Sequence, residues 1–136
     1  MQTFLTILSG TSVFIFGQII LISFIKPIND FRIVLSEISH KVKFHSNIIT
    51  NSGIKEELIK WSSDDMRDLS CQLEAKYLII PWSQLFSYLK IIPERDNIRK
   101  AATELIRLSN ATGNKGFEDK NYNAIEKLKK LLKIYL

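Results

Sequence analysis

The sequence predicts an all-α protein: one N-terminal transmembrane helix over residues 1–26, then a small cytoplasmic helical bundle over residues 27–136. Three observations carry this expectation. No charged side chain lies between Met1 and Ile25, and all 19 Lys and Arg and all 14 Asp and Glu follow that stretch. Beyond it, apolar residues return at three- and four-residue steps, the period of a helix with one buried face. Nowhere do apolar and polar residues alternate over a useful length as a strand requires, and no long internal repeat occurs.

Composition narrows the class further. A chain of 136 residues, 46% hydrophobic and 24% charged, suits one domain and excludes a disordered tail or a collagenous repeat. Its single cysteine, Cys71, excludes an internal disulfide.

The first element is Phe4–Ile25, FLTILSGTSVFIFGQIILISFI. Its 22 residues make a helix of about 33 Å, against about 30 Å of bilayer hydrocarbon. Leu, Ile, Val and Phe fill 14 of these positions and favour insertion by about 6 kcal/mol, which the Ser, Thr and Gln residues offset in part. A cleaved secretory signal is the rival reading, and it requires a basic start, a shorter apolar core and a small-residue cleavage site. Met1-Gln2-Thr3 carries no basic side chain and the run ends in Phe24-Ile25-Lys26-Pro27, so an uncleaved anchor is expected. Lys26, Arg32, Lys41 and Lys43 follow the span with no Lys or Arg before it. The positive-inside bias then predicts a single-pass protein of the inner (plasma) membrane with its C-terminal domain in the cytoplasm.

Within the span, Gly10 and Gly17 lie seven apart, Gln18 adjoins them, and Ser9 and Ser12 are close by. Small residues let helix backbones approach, and an amide in hydrocarbon favours an interhelical partner. Gly10, Gly17 and Gln18 are therefore the expected packing face, toward a homo-oligomer or another membrane protein. The alternative is the ordinary Gly and Ser content of a span.

A second helix follows directly, with Ile28, Phe31, Val34, Leu35, Ile38 and Val42 on its stripe. Pro27 fits a first turn, so the span is expected to run on into this helix with a kink. Asn51-Ser52-Gly53 is the first stop. A helical pattern then runs from about Lys55 to Ile80 through Leu58, Trp61, Leu69, Leu73 and Leu78, as one helix or as two halves capped afresh at Ser62 or Ser63.

Pro81 interrupts that pattern. Trp82–Ile92 places Trp82, Leu85, Phe86 and Leu89 on one stripe. Only 13 uncharged residues separate Lys76 from Lys90, too few for a second span. This stretch is expected to be a core helix. The alternative is a helix lying in the headgroup layer with Trp82 and Tyr88 as interface anchors.

Pro93, Glu94 and Asp96 mark the next helix start, and Ile98, Ala101, Ala102, Leu105, Ile106 and Leu108 form its apolar face. It should stop around Ser109–Gly113, with Gly113 as a left-handed cap. After the loop NKGFED, a helix over Tyr122–Leu136 sets Ile125, Leu128, Leu131, Leu132 and Tyr135 opposite Lys127, Lys129, Lys130 and Lys133. Docking of the leucines on the domain is the preferred reading, and contact of Lys127 and Lys130 with an anionic membrane surface is the alternative.

Recognisable catalytic chemistry is missing from the sequence. His40 and His45 are five apart, off a shared helix face and without paired cysteines, and are expected to be exposed or half-buried near the membrane surface. Asp64, Asp65 and Asp68 lack the order of a calcium loop and suggest a solvated helix start. Cys71 has no activating base beside it, only Asp68 and Glu74, and is expected to be a small inert thiol. Asn110-Ala111-Thr112 matches the glycosylation pattern but would stay unmodified in the cytoplasm. No phosphate-binding glycine loop or nucleophile elbow occurs, so no catalytic, cofactor or metal site is expected. Acids and bases alternate through the domain, which argues against a nucleic-acid partner.

Short motifs add a resemblance. Phe24-Ile25-Lys26-Pro27-Ile28, the Ile33–Ile38 helix, Ile80-Pro81-Trp82 and Ala101–Asn110 ending in Leu108-Ser109-Asn110 make the chain similar to a family of small bacterial single-pass membrane proteins. That family has no established activity, so the resemblance implies topology and fold and transfers no catalytic residue. The expected function is a non-enzymatic interaction or regulatory module tethered to the membrane, the lipid bilayer being its first partner. The alternative is an oligomeric membrane-active effector that forms a pore or disrupts the bilayer under control of its domain.

Overall fold

The computed structural model describes residues 1–51 and 53–134. Among them every regular element is helical: α1 Gln2–Ile20, a π-helical turn Leu21–Ile25, α2 Lys26–Phe44, α3 Ser46–Thr50, α4 Glu56–Ile79, α5 Ser83–Tyr88, α6 Arg95–Ala111 and α7 Glu118–Leu132. The expected all-α fold is observed. Tyr135 of the predicted last helix lies outside the described residues.

The span and the first bundle helix form one continuous rod from Gln2 to Phe44, long and apolar enough in its first half to cross a membrane. A π-turn joins the two helices at the place where a kink is expected. Pro27 has no N–H to offer the carbonyl four residues back, and the Lys26 N–H instead reaches the Leu21 carbonyl, five residues back. No residue of α1 is buried. In α2, Phe31, Val34, Ile38 and Val42 are buried along one stripe, as the sequence pattern predicts.

The 24-residue α4 is the centre of the bundle, packing against α2 on one side and α6 on the other. It is one helix, with no fresh start at Ser62 or Ser63. Its buried face is Ser62, Met66, Leu69, Ser70, Leu73 and Tyr77. That corrects the predicted stripe, because Leu58, Trp61 and Leu78 are exposed. The physical reason lies at the α4–α6 crossing, where small residues bring the two backbones close enough for hydroxyls to bridge them. Ser70 Oγ donates to the Ala102 carbonyl at 2.9 Å and Ser63 Oγ to the Ser109 carbonyl at 2.8 Å. A pattern built on large apolar residues overlooks a face made partly of serine.

α6 buries Ile98, Ala101, Ala102, Leu105 and Leu108 as expected, and α7 covers it with Ala124, Ile125, Leu128 and Leu132. The leucine face of α7 is docked and its lysines lie outward. Gly113 takes the left-handed conformation at φ +80°, in the turn just after the Thr112 cap.

Candidate membrane-facing site

α4 stops where its sequence requires. Ile80 precedes Pro81 and adopts extended backbone, φ −72° and ψ 111°, because the proline ring disfavours a helical residue before it. Trp82 then turns left-handed, φ 52°, and opens the short α5.

The predicted core helix over Trp82–Ile92 is corrected here. α5 has only six residues and buries none of them. A helix this short places a single side chain, Phe86, against the core, and the rest of its apolar stripe has no protein to cover it. Trp82 is 69% exposed and Tyr88 84%, and Leu85 and Leu89 are exposed beside them, as are Leu78 and Ile79 in the last turn of α4.

This apolar collar sits at the end of the span. The ring of Phe24 lies 5.5 Å from that of Trp82 and 6.1 Å from that of Phe86, centroid to centroid. On another side, Ile22, Lys26, Pro27, Asp30, Lys76 and Ile79 line a shared cleft of about 210 Å³. The collar is thus level with residues 22–24, the last turn of the apolar run.

Basic side chains rim the collar. Lys90 and Lys133 line one cleft with Ser87, Tyr88, Glu94 and Asn97, while Arg95 and Arg99 line another with Glu74, Tyr77 and Leu78. Lys26, Lys90, Arg95, Arg99 and Lys133 form no ion pair among the described residues. Trp82, Lys90 and Lys133 are also the non-glycine residues with left-handed backbone among the described residues, a conformation costing of order 1 kcal/mol each. All three lie on the collar.

The other predicted site residues fall elsewhere. Gly10 and Gly17 face open space, with nothing within 4 Å of an added Cβ. The hydroxyls around them are satisfied within the helix: Thr6, Ser9, Thr11 and Ser12 donate to carbonyls three or four residues back at 2.8–3.0 Å. Gln18 has no such partner among the described residues. Lys127 lies on the α6–α7 flank, 3.4 Å from Glu104, and Lys130 is exposed beside it in a groove shared with Arg107 and Lys120. On the collar itself the lysine is Lys133, the residue that caps α7.

At the opposite end of α2 the structure corrects two expectations. His45 is 1% exposed, at the far end of α2 from the span, rather than half-exposed near the membrane. Asp65 lies inside α4, not in a solvated helix start. Its carboxylate accepts hydrogen bonds from Lys41 Nζ at 2.7 Å and from the His45 Nε2–H at 2.8 Å. Burial raises the Asp65 carboxyl pKa, but the hydrogen bonds and charges of Lys41 and His45 outweigh it and hold the group below its usual value. Trp61 closes the cluster, its ring edge-on to His45 at 4.7 Å and to Phe44 at 5.8 Å. The cluster clamps the end of α2 onto α4. Sequence spacing missed it because its members lie 20 and 24 residues apart on two helices.

Among the described residues no three His, Cys, Asp or Glu side chains converge on a common point. Cys71 is exposed with a free thiol. No protein-family model, curated protein or solved structure matches the chain.

Proposed function

We propose that the chain is a single-pass, membrane-anchored helical module of the inner (plasma) membrane, with its bundle in the cytoplasm and a non-enzymatic role in interaction or regulation. The observation that carries this reading is the continuity of the rod from Gln2 to Phe44, in which one end is apolar on every side and the other is the wall of a packed core. No flexible linker separates anchor from domain. The bundle is held at a fixed distance and attitude at the membrane surface, which raises the effective concentration of whatever it binds there. Shallow surface clefts and an exposed apolar collar favour a partner surface over a substrate pocket.

Cys71 tests the topology. The chain's one cysteine is exposed on the bundle, so a membrane-impermeant maleimide reports its side directly. The expected result is a full-length chain that resists alkaline extraction and is labelled only after the membrane is permeabilised. Labelling in intact cells would place the bundle outside.

A pore-forming or bilayer-disrupting oligomer is the second reading, favoured by Gln18, whose carboxamide has no partner within the described chain. Dissipation of membrane potential on expression would support it.

A further inference from the structure

We propose that the collar of α5 is a lipid-binding surface that rests in the headgroup layer of the bilayer crossed by α1, with Trp82, Leu85 and Leu89 against the acyl boundary and Lys26, Lys90 and Lys133 on anionic phosphates. The inference rests on the membrane-anchored reading and names the first partner of that same site.

Position makes the argument. The Phe24 ring touches both Trp82 and Phe86, and Ile79 shares a cleft with Ile22, so the exposed apolar side chains of α5 lie beside the last turn of the span. A span that ends at Ile25 therefore holds them in the interfacial layer. A span that ends at Ile20 holds them one turn or so outside the hydrocarbon, still among headgroups. In neither placement does bulk water surround the collar.

Side-chain chemistry agrees with position. Trp and Tyr, each with an apolar body and a polar tip, favour the membrane–water interface, and among the described residues Trp82 and Tyr88 are the most exposed aromatic side chains of the bundle. Lysines at this level extend their charge toward phosphate while their stems cover apolar surface. Among the described residues Lys26, Lys90 and Lys133 have no carboxylate partner in an ion pair, which leaves their charge free to meet phosphate. The three left-handed residues stand at helix ends: Trp82 caps the start of α5, Lys90 closes its end, where the Ile91 N–H reaches the Phe86 carbonyl, and Lys133 caps α7. All three side chains are exposed.

The two tryptophans supply the test, because Trp61 lies beside His45 at the far end of α2. The full chain is reconstituted in vesicles as Trp61→Phe, leaving Trp82, and as Trp82→Phe, leaving Trp61. Fluorescence is quenched by phosphatidylcholine spin-labelled near the headgroup and, separately, by aqueous acrylamide. The expected result is several-fold stronger lipid quenching of Trp82 than of Trp61, with the reverse order for acrylamide. Phosphatidylglycerol added to phosphatidylcholine vesicles should increase Trp82 quenching, and Lys90→Glu with Lys133→Glu should abolish that increase while helical content is unchanged.

Equal lipid quenching of the two tryptophans in protein that floats with the vesicles overturns the inference and leaves the anchor intact. Trp82 shielded from both quenchers at every protein-to-lipid ratio also overturns it, in favour of a protein on the collar. Protein that fails to float overturns the anchor itself. Quenching indifferent to phosphatidylglycerol overturns the assignment of the lysines.

Discussion

α1 and α2 are each 19 residues long and lie end to end in one rod, yet one has no buried residue and the other buries four. The difference lies in the arrangement of apolar residues more than in length. α1 is apolar on all sides, and the hydroxyls of Thr6, Ser9, Thr11 and Ser12 are satisfied by carbonyls of their own helix, which suits hydrocarbon around them. α2 confines its large apolar residues to one stripe and sends Lys41, with His45 just beyond its last turn, across to Asp65 of α4. A helix of the first kind is long and apolar enough to cross a membrane, and one of the second kind needs a partner helix. The π-turn at Leu21–Ile25 joins the two regimes without interrupting the rod.

The sharpest way to break this comparison is to truncate one aromatic ring in each half. Phe31 is fully buried in α2, so Phe31→Ala should destabilise the bundle by about 3–5 kcal/mol. Phe14 in α1 is 65% exposed, and Phe14→Ala should leave the bundle's denaturation midpoint unchanged in detergent. Comparable losses from both would mean that α1 packs against the bundle.

A charge reverses the test. Ile15→Lys, near the middle of the span, should cost about 3 kcal/mol of insertion and reduce the fraction of chain retained after alkaline extraction. Ile33 faces outward on α2 at 52% exposure, and Ile33→Lys should change neither retention nor stability by more than about 0.5 kcal/mol. Equal retention of both variants would remove the distinction between the halves.

The polar clamp gives a smaller, pH-dependent effect. Folding holds the Asp65 carboxyl below its usual value of 3.8, so the unfolded chain binds this proton more readily. The resulting stability is present above about pH 4 and is lost as pH falls below it. Asp65→Asn should cost about 1–3 kcal/mol at neutral pH and flatten the acid limb of the stability profile. An unchanged acid limb would show that the clamp contributes nothing to it.

The smallest effect on the bundle is expected from Gly10→Leu with Gly17→Leu. Both positions face open space, so the melting of the bundle should stay within about 0.5 kcal/mol of the parent. If this face packs spans together, the particle in detergent becomes smaller, and an unchanged particle size would remove the packing face.

Much of this fold was legible one helix at a time. The stripes of α2 and α6, and that of α7 as far as Leu132, follow expectation because Phe31, Leu105 and Leu128 sit in runs where the apolar period is regular. α4 was legible in extent but not in face, because Ser62 and Ser70 occupy buried positions that hydropathy scores as surface. The site was half legible. Trp82 and Tyr88 already mark an interfacial helix as one of two readings, but choosing between the readings required knowing what α5 packs against. Lys133 shares a cleft with Tyr88 and Lys90 because α7 ends there, which its sequence position does not record.

The sequence by itself determined the helical class, the apolar run long enough to cross a membrane and the place where amphipathic patterning begins. These are local quantities, set by the backbone's need for internal hydrogen bonds in hydrocarbon and by the 3.6-residue turn. Only the tertiary structure decided that α5 is left uncovered beside Phe24 and that Asp65 joins Lys41 and His45. Those outcomes depend on which surfaces meet across 20 residues or more of chain, and no local period records them.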